Sequence, residues 1–545
     1  MLLSSRRTLF AYVLAITFTL TVLLLSFHPK AASYAELSKP LKDYFSPRPV
    51  VCPSVYDAGR PALDHLRQTC YPVPSNHTAF ALEVCYAPDT CNQFTARISR
   101  TSHAGCQAAE DTPDPSKDAG ITRWMREKRG PDAFYLRTDG AERYASVLPE
   151  YDGGCKYHFD VRLKNPGDAY LQIWWTEQRY TGFSDTNASW PEMLLDPLSA
   201  PVQLKTCPSH CKMQMSQPLM PSRKIVSIPP PPPVPSSAPL ALPDCTGPEP
   251  IPGSYIPAHP MDILYPPEVL PQPNNAPVVG RYSFVPEACV WRHAGLRFGN
   301  PDACSTRPAT MFITGDSHGR VSYDAMLHRL KGNTNNLLES EKTGHKSGSV
   351  GNLDIKFLWD PRGIDFLNDD EACTERVQGA NIIVLSTVAH YEDSATPYVF
   401  SQVRKVLSAV AACPYTPTPG FPVRKQILLY APAAVQRQDE FVRKFKDHGT
   451  NLRMAYWRDE VYKIARELNW EFVDQLELTL PHSLEPLGTD MAHFLANDAL
   501  DPIVDELLGK TGLCDLDYTA APGVAGNVGR KHRARHAKRR DDFGT

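Results

Sequence analysis

The sequence predicts an α/β domain on a mainly parallel sheet over residues 278–515, preceded by a membrane anchor, a disulfide-rich, sandwich-like β domain and a proline-rich linker. Three observations predict it. Apolar, β-rich runs alternate with helical-looking segments through the C-terminal half. An uncharged stretch of 20 residues lies close to the start of the chain. Of the 60 residues from Pro218 to Pro277, 20 are proline.

At 545 residues the chain is long enough for two or three domains. A net charge of -3 and a charged fraction of 21% give no bulk field for a nucleic-acid partner. Thr8 to Phe27, "TLFAYVLAITFTLTVLLLSF", has the length a helix needs to span a bilayer. Arg6 and Arg7 before it place residues 1–7 in the cytosol and the rest across the membrane, with 28–51 as a stem. The rival reading is a cleaved signal peptide ending near Ser33 to Ala35; both readings export the body of the protein.

Residues 52–212 form the β domain. The chain holds 14 cysteines with no paired CxxC pattern, which in an oxidising lumen implies disulfides, Cys207 and Cys211 among them as a local staple. Tyr157, Phe159, Val161 and Leu163 alternate, "NPGD" follows, and Leu171, Ile173 and Trp175 alternate again, which reads as strand-turn-strand. Asn76 in "NHT" and Asn187 in "NAS" are N-glycosylation acceptors for that compartment.

In the linker, residues 213–277, proline removes amide donors and fixes φ, so neither helix nor sheet is expected to run through. Cys245 in its middle implies an anchor point. Beyond it, "ATMFIT" (309–314), "DIKFLW" (354–359), "NIIVLST" (381–387), "KQILLYA" (425–431) and "WEFVDQL" (470–476) read as strands. Helical segments at Val321 to Leu330, Tyr398 to Ala412 and Arg458 to Leu468 alternate with them. Such sheets keep their chemistry beyond the carboxyl ends of the strands. The tail, residues 516–545, carries "RKHRARHAKRR" and reads as solvated and basic, with an acidic glycan or lipid surface as the alternative contact.

Two segments carry chemistry. In "TMFITGDSHGR", Met311 to Thr314 ends a strand, Gly315 permits a sharp turn, and Ser317 opens a helix whose first amides face an oxyanion. A serine needs a base to act as nucleophile. "LGTDMAHFL" supplies one after the last strand: Asp490 and His493, three residues apart, so that the carboxylate fixes one imidazole nitrogen and leaves the other for serine. Asp474 is the rival acid, and His318 is set aside as a base because neighbours on a helix diverge.

These motifs resemble the SGNH/GDSL hydrolase superfamily, and "GDSHGR" resembles its PC-esterase-like branch. That branch takes in the plant trichome-birefringence-like wall O-acetyltransferases, the fungal capsule O-acetyltransferases and the neurexophilin-and-PC-esterase relatives. The resemblance covers roughly Gly280 to Leu513 and implies a flavodoxin-type sheet. It makes Ser317 the nucleophile, His493 the general base and Asp490 the orienting acid, with Gly315, Asp316 and Arg320 in support. The third-block Asn of the superfamily has no counterpart in "VLSTVAHYED"; Thr387 and His390 stand in its place, and Gly363 in "WDPRGID" stands for the second-block glycine.

The implied function is a secretory-pathway serine O-acyltransferase of type II Golgi topology. It would use an acyl donor, most simply acetyl, as co-substrate and a polysaccharide or glycoconjugate as acceptor, with no tightly bound cofactor or metal. The alternatives are a glycan esterase of the same fold, a secreted or cell-surface location, and an inactive glycan-binding glycoprotein.

Overall fold

A computed structural model gives the structure of the chain. It describes residues 68–86, 92–102, 106, 124–164, 167–178, 193–205, 226–227, 245, 247–257, 282–286, 289, 308–331, 345–368, 371–391, 394–434, 450–484, 493–494 and 497–513. All of these fall in one compact unit, Val50–Thr545. Among the described residues no helix is long and apolar enough to cross a membrane. The span predicted at 8–27 lies outside the described residues, as do Asp490, Asn187, Cys207, Cys211 and the basic tail.

The N-terminal half is built of strands β1 (Thr69–Val73), β2 (Phe80–Tyr86), β3 (Gln93–Arg100), β4 (Ala133–Gly140), β5 (Tyr144–Ser146), β6 (Glu150–Gly153), β7 (Lys156–Arg162), β8 (Asp168–Glu177), β9 (Met193–Pro197), β10 (Val202–Lys205) and β11 (Val226–Ser227). One sheet runs β1-β2-β3-β7-β6; the other runs β11-β10-β8-β4-β5, with β9 also on β8. Apart from the parallel β10–β11 contact, both sheets are antiparallel. They share a core: Phe80, Val84, Ile98 and Phe159 of the first meet Phe134, Leu136, Leu171 and Trp175 of the second. Strand alternation, apolar inward and polar outward, makes this packing. Cys70–Cys85 ties β1 to β2 directly across the ladder, and Cys106–Cys155 closes a longer loop. The two alternating runs expected to form a hairpin are β7 and β8, and they belong to different sheets. Each is satisfied by partners distant in sequence, β3 for β7 and β4 for β8, so the turn carries the chain from one layer to the other.

The proline-rich stretch contains a strand after all. Strand β12 (Gly253–Pro257) pairs antiparallel with β13 (Tyr282–Pro286). Its prolines stand at or beyond its ends, so the interior, Ser254 to Ile256, keeps its amides. Cys245 is anchored by a disulfide to Cys289. Lys510 reaches the carbonyls of Gly247 and Glu249 at 3.2 and 2.7 Å.

The C-terminal sheet runs β15-β16-β14-β17-β18-β19, formed by β14 (Ala309–Gly315), β15 (His345–Val350), β16 (Leu353–Trp359), β17 (Ile382–Ser386), β18 (Lys425–Leu429) and β19 (Glu471–Val473). Five of its strands, β16 to the far edge β19, pair in parallel and β15 antiparallel. Helices α1 (Ser317–Leu330), α2 (Asp365–Asn368), α3 (Thr396–Ala412), α4 (Asn451–Glu467), α5 (Gln475–Thr479) and α6 (Asn497–Thr511) accompany it. Strand β17 explains why the apolar runs are continuous: Ile383 and Leu385 enter the core under α3 and α4, while Ile382 and Val384 enter the core under α1 and α6. Asp316 caps α1, accepting from the amides of His318 and Gly319, and Thr450 caps α4 by accepting from Arg453.

The α/β class expected from the sequence is therefore corrected. Among the described residues the chain is a mixed-sheet protein with few helices, most strands lie in antiparallel sheets, and the largely parallel sheet carries an antiparallel edge. Residues 68–205 hold too many short alternating strands for a βαβ description of the whole. The two halves are also joined through their cores. Tyr135, Ala145, Val147 and Trp174 belong to the same cluster as Val399, Trp457 and Leu480. Tyr135 donates from its hydroxyl to the Leu480 carbonyl at 2.8 Å, and Arg143 Nη1 donates to His482 Nδ1 at 3.3 Å.

Candidate functional site

The carboxyl ends of β14, β16 and β17 meet around Ser317. Gly315 ends β14 with φ +143°, and a Cβ there would stand 1.8 Å from the Ser386 carbonyl oxygen, so only glycine lets β14 turn this close to β17. The next residue, Asp316, is 1% exposed. Its backbone amide donates to Ser386 O at 2.9 Å. Its Oδ1 accepts from His318 N at 2.9 Å, Gly319 N at 3.2 Å and Ser386 Oγ at 2.8 Å. With the second and third amides of α1 turned to this carboxylate, the cap leaves the Ser317 amide out of its bonds. Ser317 itself is half-buried.

His493 comes to the same turn from the far end of the chain. Its ring centroid lies 5.1 Å from that of His318, tilted by 54°. The sequence reading set His318 aside; the fold brings its ring to that of His493, so a second imidazole meets the first turn of α1 through His318. Both rings are partly exposed. Asp490 precedes His493 by three residues and lies outside the described residues.

The remaining predicted residues separate. Arg320 lies over the Trp359 ring, 6.0 Å from guanidinium carbon to centroid, and its Nε is buried without a partner among the described residues. Trp359 in turn meets His390 edge-on at 5.7 Å. Arg320 and His390 thus line one wall with Trp359, and the His390 carbonyl is held by Arg362 Nε at 3.0 Å. Burial pushes the Asp316 carboxyl above the usual carboxylate range, opposed first by the charge of His390 and then by the Ser386 hydroxyl and the two helix amides. Thr387 is fully buried, with its hydroxyl on Pro361 O at 3.3 Å. Gly363 does not offer a donor: its amide is spent on Asp360 O at 3.1 Å, and a Cβ would meet Val406 at 2.5 Å. It packs the loop against α3.

Asp474 is committed elsewhere. It ion-pairs with Arg458 and accepts the Glu477 amide at 3.2 Å, capping α5. The rival-acid role therefore meets a carboxylate already occupied twice. Asp360, at the end of β16, accepts from Ile364 N at 3.2 Å and Asp365 N at 3.3 Å, and burial raises its carboxyl too.

Sequence reasoning missed Ser386, Trp359 and Asp360. Each ends a recognisable strand run or follows one directly, and the rule that chemistry gathers at carboxyl ends of parallel strands would have pointed to them. As for metals, among the described residues Cys70, Glu83 and Cys85 bring ligand-type atoms within 4.8 Å of one another, but both thiols are consumed by the Cys70–Cys85 disulfide. No known protein family matches the chain, and no curated protein does. What the site can do is read from its own groups: a hydroxyl at a helix start, a pair of imidazoles meeting at that helix turn, and an arginine on the Trp359 ring.

Proposed function

We propose that this chain is a secretory-pathway serine acyltransferase that carries an acyl group, acetyl foremost, as an ester on Ser317 and passes it to a glycan hydroxyl. The observation that carries the reading is the arrival of His493, from 176 residues downstream, at the helix turn that presents Ser317. His493 takes the proton from Ser317 Oγ as it attacks the donor's acyl carbon, then gives it to the leaving group. The Ser317 amide and the Arg320 guanidinium bear the oxyanion charge. The acceptor hydroxyl next loses its proton to His493 and attacks the acyl-serine carbon; the bond to Ser317 Oγ breaks, His493 returns the proton to that oxygen, and the acylated acceptor leaves. Asp490 orients His493.

Four disulfides among the described residues support passage through an oxidising compartment. Asn76, exposed on the β1–β2 turn, is offered as the glycan acceptor there. The partial exposure of Ser317 and His493 supports a second reading, hydrolysis, in which water replaces the sugar hydroxyl.

The test is labelling with a fluorophosphonate. The wild-type chain is expected to label, while Ser317→Ala and His493→Ala lose labelling by more than about a hundredfold, the scale of a general-base contribution. A folded wild type that stays unlabelled removes the enzyme reading and leaves a binding protein. Incubation with an acetyl donor and oligosaccharides then separates transfer, seen as acetylated sugar, from hydrolysis, seen as acetate alone.

A further inference from the structure

We infer that Ser386 is a positioning residue for Ser317, acting through the Asp316 carboxylate; this rests on the serine-acyl reading above and names a residue that reading does not use. Ser386 is the last residue of β17 and is 1% exposed. The turn that carries Ser317 surrounds it. Its carbonyl accepts the Asp316 amide at 2.9 Å, and its hydroxyl donates to Asp316 Oδ1 at 2.8 Å. From the next turn of the helix, a Cβ on Gly319 would stand 3.0 Å from the Ser386 Cβ.

These contacts have different jobs. The backbone bond and the glycine contacts fix the distance between β14 and β17, and an alanine at 386 would keep them. Only the hydroxyl ties the carboxylate itself to the strand. The same oxygen atom, Oδ1, holds the amides of His318 and Gly319, so its place sets the pitch of the first helical turn. Oδ2 is buried without a partner among the described residues, which leaves Oδ1 as the atom that anchors the group. Around it stand His390 after β17, His318 and Arg320 on α1, and Asp360 after β16, whose amide bonds the Gly315 carbonyl at 2.9 Å. Removing the Ser386 hydroxyl withdraws a donor from a buried carboxylate and loosens the helix start on which Ser317 stands.

Two consequences follow for Ser386→Ala. The rate of Ser317 labelling falls by about tenfold, as expected for the loss of one hydrogen bond to a charged group. The limb of that rate that follows Asp316 ionisation, distinct from the one set by protonation of His493, moves to higher pH, because the ionised Asp316 has lost a donor that favours it. Ser386→Thr, which retains the hydroxyl, restores the limb toward its wild-type position. A merely structural serine would lower the plateau and leave the limb in place, and that result, or no change at all, overturns the inference.

Melting temperature against pH separates this inference from the enzyme reading. A carboxyl raised by folding stabilises most below its unfolded pKa, and that stabilisation is lost as pH rises through the folded value. In Ser386→Ala the loss extends to higher pH than in the wild type, and in Asp316→Asn it is absent. That pattern in a chain that does not label keeps the Ser386–Asp316 link while the acyl chemistry fails. Superimposable melting profiles for wild type and Ser386→Ala sink the link whatever the labelling shows.

Discussion

In the N-terminal sheets buried charge is used as stitching: Arg100 forks onto Asp132, and Arg137 and Arg143 both grip Asp139 at 2.9 Å. In the C-terminal sheet the inner strands β14 and β17 hold no charged residue at all. The carboxylates there stand one residue past the strands, Asp316 after β14, Asp360 after β16 and Asp474 after β19, each capping the segment that follows. Charge placed inside the antiparallel layers ties β3 to the residue ahead of β4 and braces β4 with the residue that follows it closely. Charge placed at the carboxyl ends of parallel strands organises the turns that follow them. The difference teaches where to look: the buried carboxylates of the antiparallel sheets pair with arginines, and those standing just past the parallel strands cap the turns around the candidate site.

The strongest way to break the comparison is Arg143→Ala. Its guanidinium is fully buried between Asp139, the Tyr282 ring at 4.0 Å and His482. Removing one partner of a buried pair costs about 3–5 kcal/mol, and both halves are expected to unfold in a single denaturant transition at lower midpoint. Two separated transitions would show that the halves are not joined as described. Replacing Cys70 and Cys85 together by alanine is expected to cost about 3 kcal/mol for a loop of that size, read as a drop in melting temperature under non-reducing conditions.

A pH series sharpens the contrast. Burial pushes Glu177, at the end of β8, up to about 8. Because folding raises this carboxyl, its stabilising share is complete below its unfolded pKa and is lost as pH climbs toward 8. Melting temperature is expected to fall over that window, and Glu177→Gln to flatten the fall. The smallest effect is Asp360→Ala, which strips two amides of their cap and is expected to cost about 1 kcal/mol, with the N-terminal sheets unaffected in hydrogen exchange.

Much of the second half was legible because its strands are buried on both faces. The runs at 309–314, 381–387 and 425–431 are strands, since nothing but a doubly covered strand tolerates Ile-Ile-Val-Leu in sequence. Helices α3 and α4 begin earlier than their apolar spacing indicates, at Thr396 and Asn451, because caps and turns set their starts. Strand β15, "HKSGSV", was invisible: an edge strand with one covered face needs no apolar run. The class of the whole chain is corrected because the α/β label described only the sheet expected over 278–515, while most strands of the described residues lie in antiparallel sheets. At the candidate site, Ser317 and His493 were singled out from residue type, chain order and the family resemblance, and the fold brings His493 to the helix turn that Ser317 opens. Ser386 was not singled out: its place at the carboxyl end of the run at 381–387 is visible in the sequence, but its bond to Asp316 across two strands is not.

The bond from Tyr135 to Leu480 has a practical consequence. Residues 475–484 lead directly into the segment that ends at His493, and they lean on the first half through Tyr135, Arg143 and, from the proline-rich stretch, Tyr255, whose hydroxyl reaches the Leu478 carbonyl at 2.5 Å. A chain cut at residue 278 and expressed alone would expose an apolar flank and leave these carbonyls facing solvent just upstream of the imidazole. Transplanting the C-terminal half to another carrier therefore requires that its β-sheet companion travel with it.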